Sequence, residues 1–219
     1  MPARSPFPVT VLLAAALLTA CGTAPEPDVA AAPATSATAT TPATESAAVS
    51  PSPSATRALG GAGTACALPV SFSLTEDWEP KKVEPLADPD FADLLKQGPA
   101  TVVCEAKAEG TPHIGFLRVW TAPKGPLRPT LDAFVKADKS KGLALTDLRV
   151  GGAGGAGGVP GVEARYSVYS ELTEEWRKQR AFAVTTAKGV LVVELGGLDS
   201  EEDDMVAAYE RVKAGLTVS

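Results

Sequence analysis

Large aromatic side chains are confined to one part of this chain, and that confinement bounds what can fold. Every Trp and Tyr, and every Phe except Phe7, lies beyond residue 70 of the 219. A core needs such residues, because they carry much of its buried apolar area. The folded part is therefore expected to begin near Thr64 or Cys66 and to occupy residues 64–219. Hydrophobic residues make up 45% of the chain, a figure inflated by alanine in the first third. What remains is enough for one domain of ordinary size.

The segment before that domain has a different composition. From Gly22 to Gly63 it contains no aromatic residue and almost no large aliphatic, with frequent Pro, Ala, Thr and Ser. Such a stretch cannot bury enough apolar surface to offset its conformational entropy, so residues 21–63 read as a disordered tether. Prolines stiffen it locally toward polyproline II. A coil of roughly 42 residues has a mean reach of about 35–40 Å, and more than about 100 Å when fully extended. Its Thr/Ser/Pro content permits O-glycosylation, although a plain spacer is the simpler reading.

The N-terminus supplies an address. Val9 to Ala20 is an almost continuous apolar run, about twelve positions long where roughly twenty are needed to span a bilayer. It fits the apolar region of a secretory signal over residues 1–20, preceded by Arg4 as its only charge. The ending Leu18-Thr19-Ala20-Cys21 resembles the bacterial lipobox. There a cysteine thiol takes a diacylglyceryl group and becomes the first residue of the mature protein. Buried acyl chains, palmitate among them, contribute about 0.8 kcal/mol per CH₂, so two or three anchor firmly. Lipidation of Cys21 would thus hold the chain at the outer face of the cell membrane, as an extracytoplasmic lipoprotein of the cell envelope.

Charge and cysteine usage agree with export. The net charge is −6, and basic residues are outnumbered by acids and unclustered, which argues against nucleic acid as a partner. Of three cysteines, Cys21 is assigned to the lipid, leaving Cys66 and Cys104. An even pair in an exported domain is expected to form a disulfide. The competing reading, a reactive thiol, has only His113 to serve as its base.

Periodicity within the domain predicts a β-α-β-β-α-β-β-β-β-α order. In "VSFSL", Val70, Phe72 and Leu74 alternate inward, and Trp78 anchors the following turn. A helix is expected over Asp88 to Gly98, with Phe91, Leu94 and Leu95 on one face. Strands follow at Ala100–Ala108, with Val102, Cys104, Ala106 and Ala108 sharing a face, and at His113–Thr121, with Ile114, Phe116 and Trp120 on one face. "PTLDAFVKADKSKG" reads as a helix capped by Thr130 and Gly142, with Leu131, Phe134 and Val135 inward. Strands at Leu143–Val150, Val162–Leu172, Trp176–Thr186 and Gly189–Leu195 precede a last helix from about Ser200 to Leu216. The fold class implied is α+β, a mostly antiparallel sheet flanked by helices.

A resemblance accompanies that layout. The "SFSLTEDWEP" strand and turn, the "TLDAFVKA" helix, the "RAFAVTTAKGVLVVELGG" hairpin and the closing amphipathic helix resemble the PsbP-like (MOG/PsbP) α/β/α sandwich. Over about Val70 to Val218 the chain is similar to actinobacterial LpqN/LpqT-type lipoproteins, which pair that fold with a lipobox. The resemblance implies a non-enzymatic, surface-tethered protein that binds or scaffolds something. PsbP is an accessory subunit of photosystem II, and its MOG relatives bind a small GTPase. The shared pattern contains no catalytic motif, so no site residue is carried over from it.

Few residues suggest chemistry. His113 is the only histidine, has no G-x-S-x-G to serve, and reads as a strand-edge residue. No clustered His and Cys offer a zinc site, and no cofactor is expected. The acidic run in "LDSEEDDM" (Leu198 to Met205) lacks EF-hand spacing and suits a helix start. "GGAGGAGGVPG" (Gly151 to Gly161) leads into a strand, so it reads as a flexible loop and not a phosphate cradle. Trp176, Lys178 and Arg180 share one strand face and form the candidate interaction patch for a protein or cell-wall partner. The expected function is thus a membrane-anchored binding or scaffolding module. One alternative is a small apolar-ligand carrier with a cavity lined by Trp78, Phe116 and Trp120. The other is an envelope enzyme using carboxylates such as Glu171, Glu174 or Glu194.

Overall fold

The computed structural model describes residues 56–152 and 157–219. The signal segment, Cys21, the tether as far as residue 55 and the middle of the glycine tract lie outside the described residues. Among the described residues, no helix is long and apolar enough to cross a membrane.

A central sheet orders the rest. Its strands are β3 (Glu79–Lys82), β4 (Lys96–Gln97), β5 (Ala100–Lys107), β6 (Gly115–Ala122), β7 (Lys141–Val150), β8 (Val159–Ser170), β9 (Glu175–Thr186) and β10 (Gly189–Gly197). They run in the order β3-β5-β6-β10-β9-β8-β7, with β4 paired to β5, and every pairing is antiparallel. A second sheet has the order β1 (Thr56–Gly60), β2 (Val70–Thr75), β11 (Thr217–Val218). Two helices, α1 (Leu127–Ala137) and α2 (Asp203–Gly215), complete the fold.

Two cores lie on opposite faces of the central sheet. On one face, Leu131, Phe134 and Val135 of α1 pack on Trp120, Val162, Ala164, Ala183 and Val192. On the other, Met205, Tyr209 and Val212 of α2, together with Val70, Phe72 and Leu74 of β2, cover Val119, Phe182, Val184, Leu191 and Val193. The domain is therefore α+β in three layers, a largely antiparallel sheet with a helix on each side. All seven strands expected from alternation are present.

Several local expectations are corrected. The ordered fold begins before residue 64: Thr56–Gly60 pairs with β2 from Thr56↔Thr75 to Gly60↔Ser71, because Leu59 finds a place in the α2-side core. Asp88–Gly98 is no α-helix. A 3-10 helix covers Pro89–Leu95, and Phe91 and Leu94 are 54% and 74% exposed. Lys96 and Gln97 are drawn into pairing with Thr101 and Ala100, which ends the helix before it presents a second apolar turn. Thr130 is not the cap of α1. The helix starts at Leu127, and the Thr130 hydroxyl donates to the Pro126 carbonyl at 2.8 Å from inside its first turns. Gly142 does not close α1 either. The helix ends at Ala137, and Gly142, at φ +66°, sits where the β7–β8 register shifts. β6 begins at Gly115, which leaves Ile114 outside the strand and exposed.

Val102, Cys104 and Ala106 do not share a face. Val102 pairs with Trp120 and Cys104 with Val119, so Val103 is an extra residue, a β-bulge. Ala100 and Val102 therefore join the α1 core, while Cys104, Ala106 and Ala108 join the α2 core. That switch aims Cys104 at the loop carrying Cys66, and the two form a disulfide with Cα atoms 6.0 Å apart. Both cysteines are buried.

The bridge spans a sequence separation of 38, for which the chain-entropy account gives about 4 kcal/mol. Replacing Cys66 and Cys104 together by Ala should lower the free energy of unfolding by about that amount in a urea titration.

Candidate functional site

Alternation along β9 does bring Trp176, Lys178 and Arg180 to one face, the α2 side of the sheet, but that face is not free. Lys178 Nζ lies 2.8 Å from a Glu201 carboxylate oxygen, and the Ser200 hydroxyl donates to the Lys178 carbonyl at 2.7 Å. The Arg180 guanidinium sits 5.8 Å from the centre of the Tyr209 ring. Trp176 stays 42% exposed, yet it packs edge-on to Tyr169 at 5.6 Å and carries the Lys141 ammonium over its ring at 3.6 Å. Glu201, just before α2, and Tyr209 within it thus partner the two cations of this patch.

The α1 face carries a polar row across the sheet. Glu105, Arg118, Glu194 and Ala181 are register neighbours on β5, β6, β10 and β9. Glu194 is buried, and it accepts from the Trp120 indole N–H at 3.1 Å and from the Tyr166 hydroxyl at 2.9 Å. The Arg118 Nε–H donates instead to Glu105 at 2.6 Å. Burial pushes Glu194 up from 4.5 to about 7, against the Tyr166 bond and the nearby Arg118 charge, while Asp138 at the end of α1 adds to the rise. Burial likewise raises Asp138, and it raises Tyr166 with help from Glu194. On the α2 face, Glu163 is buried beside Lys213 Nζ at 2.7 Å and accepts from the Tyr209 hydroxyl at 3.1 Å. Glu163 thus has a cation in contact, whereas Glu194 has neutral donors alone.

Beyond the polar row the α1 face is uncovered. Phe116 and Gly196 are paired across β6 and β10. A Cβ at Gly196 would stand 2.7 Å from the Phe116 ring and 3.5 Å from Gln179 Nε2, so only glycine lets the ring lie across β10. Phe116, Val168, Leu198, Ile114 and Leu172 form a groove of about 370 Å³, with Arg177 and Gln179 along it. Ile114 is 64% and Leu172 81% exposed. No residue of α1 lines this groove. No local sequence pattern reveals it, because its walls come from four strands and three connecting loops, and Phe116 and Ile114 alone among its residues carry an apolar-face signal in the sequence.

The remaining candidates separate. Trp78 belongs to the α2-side core and Trp120 to the α1-side core, so these two and Phe116 cannot line one cavity. Glu171 and Glu174 are exposed at the β8–β9 turn, while Glu194 is buried in mid-sheet. His113 Nε2 lies 3.2 Å from Asp204 Oδ2 in the first turn of α2, and among the described residues both cysteines are bridged. Part of the acidic run is engaged in such contacts. Asp199 Oδ2 accepts from the Ile114 N–H at 2.7 Å, and Glu202, at the N-cap, makes no side-chain cap. Among the described residues, no group of His, Cys, Asp and Glu converges to hold a metal ion.

The described residues thus form a layered α+β domain with one sheet face partly uncovered. Residues 33–216 match the Lipoprotein_23 family, described as "Uncharacterised lipoprotein", and the chain belongs to that family. It is a lipoprotein. Its structure is similar to the solution structure of cyanobacterial PsbP (CyanoP) from Synechocystis sp. PCC 6803, at a TM-score of 0.49 and 12% identity, over 77% of this chain and 95% of that one. No curated protein matches the chain in sequence.

Glu194 makes a pH prediction. Its folded value near 7 lies above the ordinary 4.5, so between those values the folded protein holds a proton that the unfolded chain has released. The stabilisation is complete below pH 4.5 and is lost as pH rises through 7, by on the order of 3 kcal/mol in all. Glu194→Gln removes that titration. Its unfolding free energy should change less than the wild type's between pH 5 and 8, read by urea titration at each pH.

Proposed function

We propose that this lipoprotein is an extracytoplasmic binding module, held at the outer face of the cell membrane by acyl chains on Cys21, that contacts a polypeptide partner through the α1-face groove. The observation that carries the reading is the groove itself: adjacent exposed apolar side chains, Ile114 and Leu172 above Phe116, on a sheet face that α1 leaves bare. Exposed apolar surface of this kind marks interaction sites on soluble domains. The tether supports the reading by giving the domain room to meet a partner away from the bilayer.

A non-enzymatic role is part of the proposal. The carboxylate with the most displaced titration, Glu194, is buried beneath its donors and faces no cleft, and Glu171 and Glu174 stand apart from it at the hairpin turn. The carrier alternative is weaker because Trp78 and Trp120 fill separate cores. The LpqN/LpqT-type affiliation belongs to the same proposal and rests on the resemblance over about Val70 to Val218.

Anchoring and the groove are tested together in the producing cell. Mass spectrometry of the mature N-terminus should find a diacylglyceryl-modified Cys21, and Cys21→Ser should leave the protein unacylated and shift most of it out of the membrane fraction. Recovery of the wild type as an unmodified chain starting at Met1 would overturn the anchor. Ile114→Asp combined with Leu172→Asp should keep the wild-type Tm yet abolish the protein's function-linked crosslinks, whereas Lys188→Ala should keep them.

A further inference from the structure

Arg118 stands among carboxyl groups of β5, β10 and the end of α1, and it also roofs part of the groove. Its Nε–H donates to Glu105 at 2.6 Å, its register partner on β10 is Glu194, and its charge reaches Asp138. Its guanidinium carbon lies 3.8 Å from the centre of the Phe116 ring, on the same face of β6. Phe116 in turn lines the groove. Resting on the binding-module reading above, we propose that Arg118 is a proton-controlled cover. It lies on Phe116 while Glu194 is protonated, and it moves to Glu194 when that carboxyl ionises, which bares the ring.

The move needs no backbone change. Directly opposed residues of antiparallel strands have Cβ atoms about 5 Å apart, so rotation of the Arg118 side chain brings it to Glu194 on one flank as it now meets Glu105 on the other. The two carboxylates differ in what they need. The Glu105 side chain keeps 20% of its surface in water, so it stays hydrated when its cation leaves. Glu194 is buried, with only the Trp120 N–H and the Tyr166 O–H bonded to it. Once ionised it carries a buried charge, which is costly until a cation answers it. Among the described residues, the groups acting on Glu194 are Arg118 and Trp120 on β6, Tyr166 on β8 and Asp138 at the end of α1, with the uncharged Ala181 beside it on β9. Arg118 is the cation in that set, and Asp138 adds repulsion. Burial holds the Glu194 proton up to about pH 7, so the change falls close to neutrality. A cation over a partly exposed ring is held weakly, and the guanidinium leaves Phe116 readily. The groove floor is therefore a guanidinium below neutrality and an aromatic face above it.

The test is NMR of the full chain carrying Cys21→Ser, followed between pH 5 and 9. The Trp120 indole N–H, bonded to Glu194, reports ionisation through its chemical shift. Nuclear Overhauser effects between the Arg118 δ-methylene and the Phe116 ring protons report the cover. The indole shift should titrate with a midpoint near 7, and the Arg118–Phe116 effects, strong at pH 5, should be lost over the same range. Glu194→Gln should keep them at both ends. The wild-type titration needs no substitution at Glu194, so it decides the matter even if that variant fails to fold. Effects of equal strength at pH 5 and pH 9, or an indole shift that does not titrate between them, overturn the cover. Their loss in folded Glu194→Gln as well overturns Glu194 as its control. Neither readout involves a partner, so a cover that moves as expected stands even where Ile114→Asp with Leu172→Asp leaves the crosslinks intact and the groove reading fails.

Discussion

Burial of β10 on both faces is the constraint from which the rest of this domain follows. Every residue from Gly189 to Gly196 is buried, and a strand covered on both sides must have a layer above and a layer below. Val190 and Val192 belong to one core, and Leu191, Val193 and Leu195 to the other. Interchanging the two sets by a single-residue slip would break both layers at once, which fixes the register against β6 and β9. The same burial dictates the handling of Glu194. A carboxylate in the middle of such a strand has lost water and must find donors, and Trp120 on neighbouring β6 and Tyr166 on β8, beyond β9, supply them.

The bulge at Val103 extends this two-sided arrangement to β5. Without the extra residue, β5 would offer all its small apolar side chains to one core and leave the other short at the sheet's end. With it, Ala100 and Val102 meet α1, and Cys104 and Ala106 meet the α2 layer. The disulfide then ties that second half of β5 to the β1–β2 connection. Residues 60–66 are held as well by the Thr64 hydroxyl, which contacts the Gly60 and Cys66 carbonyls at 2.9 and 2.8 Å. The small sheet is thereby stitched to the large one by a covalent link beside its apolar contact, and the loop that carries that link is braced by its own hydrogen bonds.

Much of the layout was legible because alternation in β2 and β5–β10 and the spacing of Leu131, Phe134 and Val135 are strong periodic signals. What escaped had no such signal. β1 is Thr-Arg-Ala-Leu-Gly, indistinguishable in composition from the tether except for Leu59. β3, Glu-Pro-Lys-Lys, is a short polar edge strand that forms because β5 offers it a partner. The patch of Trp176, Lys178 and Arg180 was placed on the right strand and face. Its availability depended on Glu201, Tyr209 and Lys141, residues 23 or more positions away from their partners, and no local pattern records that. The groove is non-local in the same sense, and its sequence traces are Ile114, Phe116 and the Gly196-Gly197 pair that ends β10.

The mismatch between α1 and the strands beneath it accounts for why a groove exists at all. α1 has 11 residues, about 16 Å of helix. β8 and β9 have 12 residues each, about 40 Å of strand. One short helix does not reach the Phe116 end of that face, and it ends near Asp138, beside the polar row of Arg118 and Glu194. On the opposite face α2 is longer and is joined by a three-stranded sheet, so the α2 core continues along β10 as far as Leu195. The asymmetry leaves bare apolar side chains, Ile114 and Leu172 among them, at one end of this face. The polar row of Glu105, Arg118 and Glu194 between α1 and the groove separates the part of the face that holds the fold together from the part left uncovered.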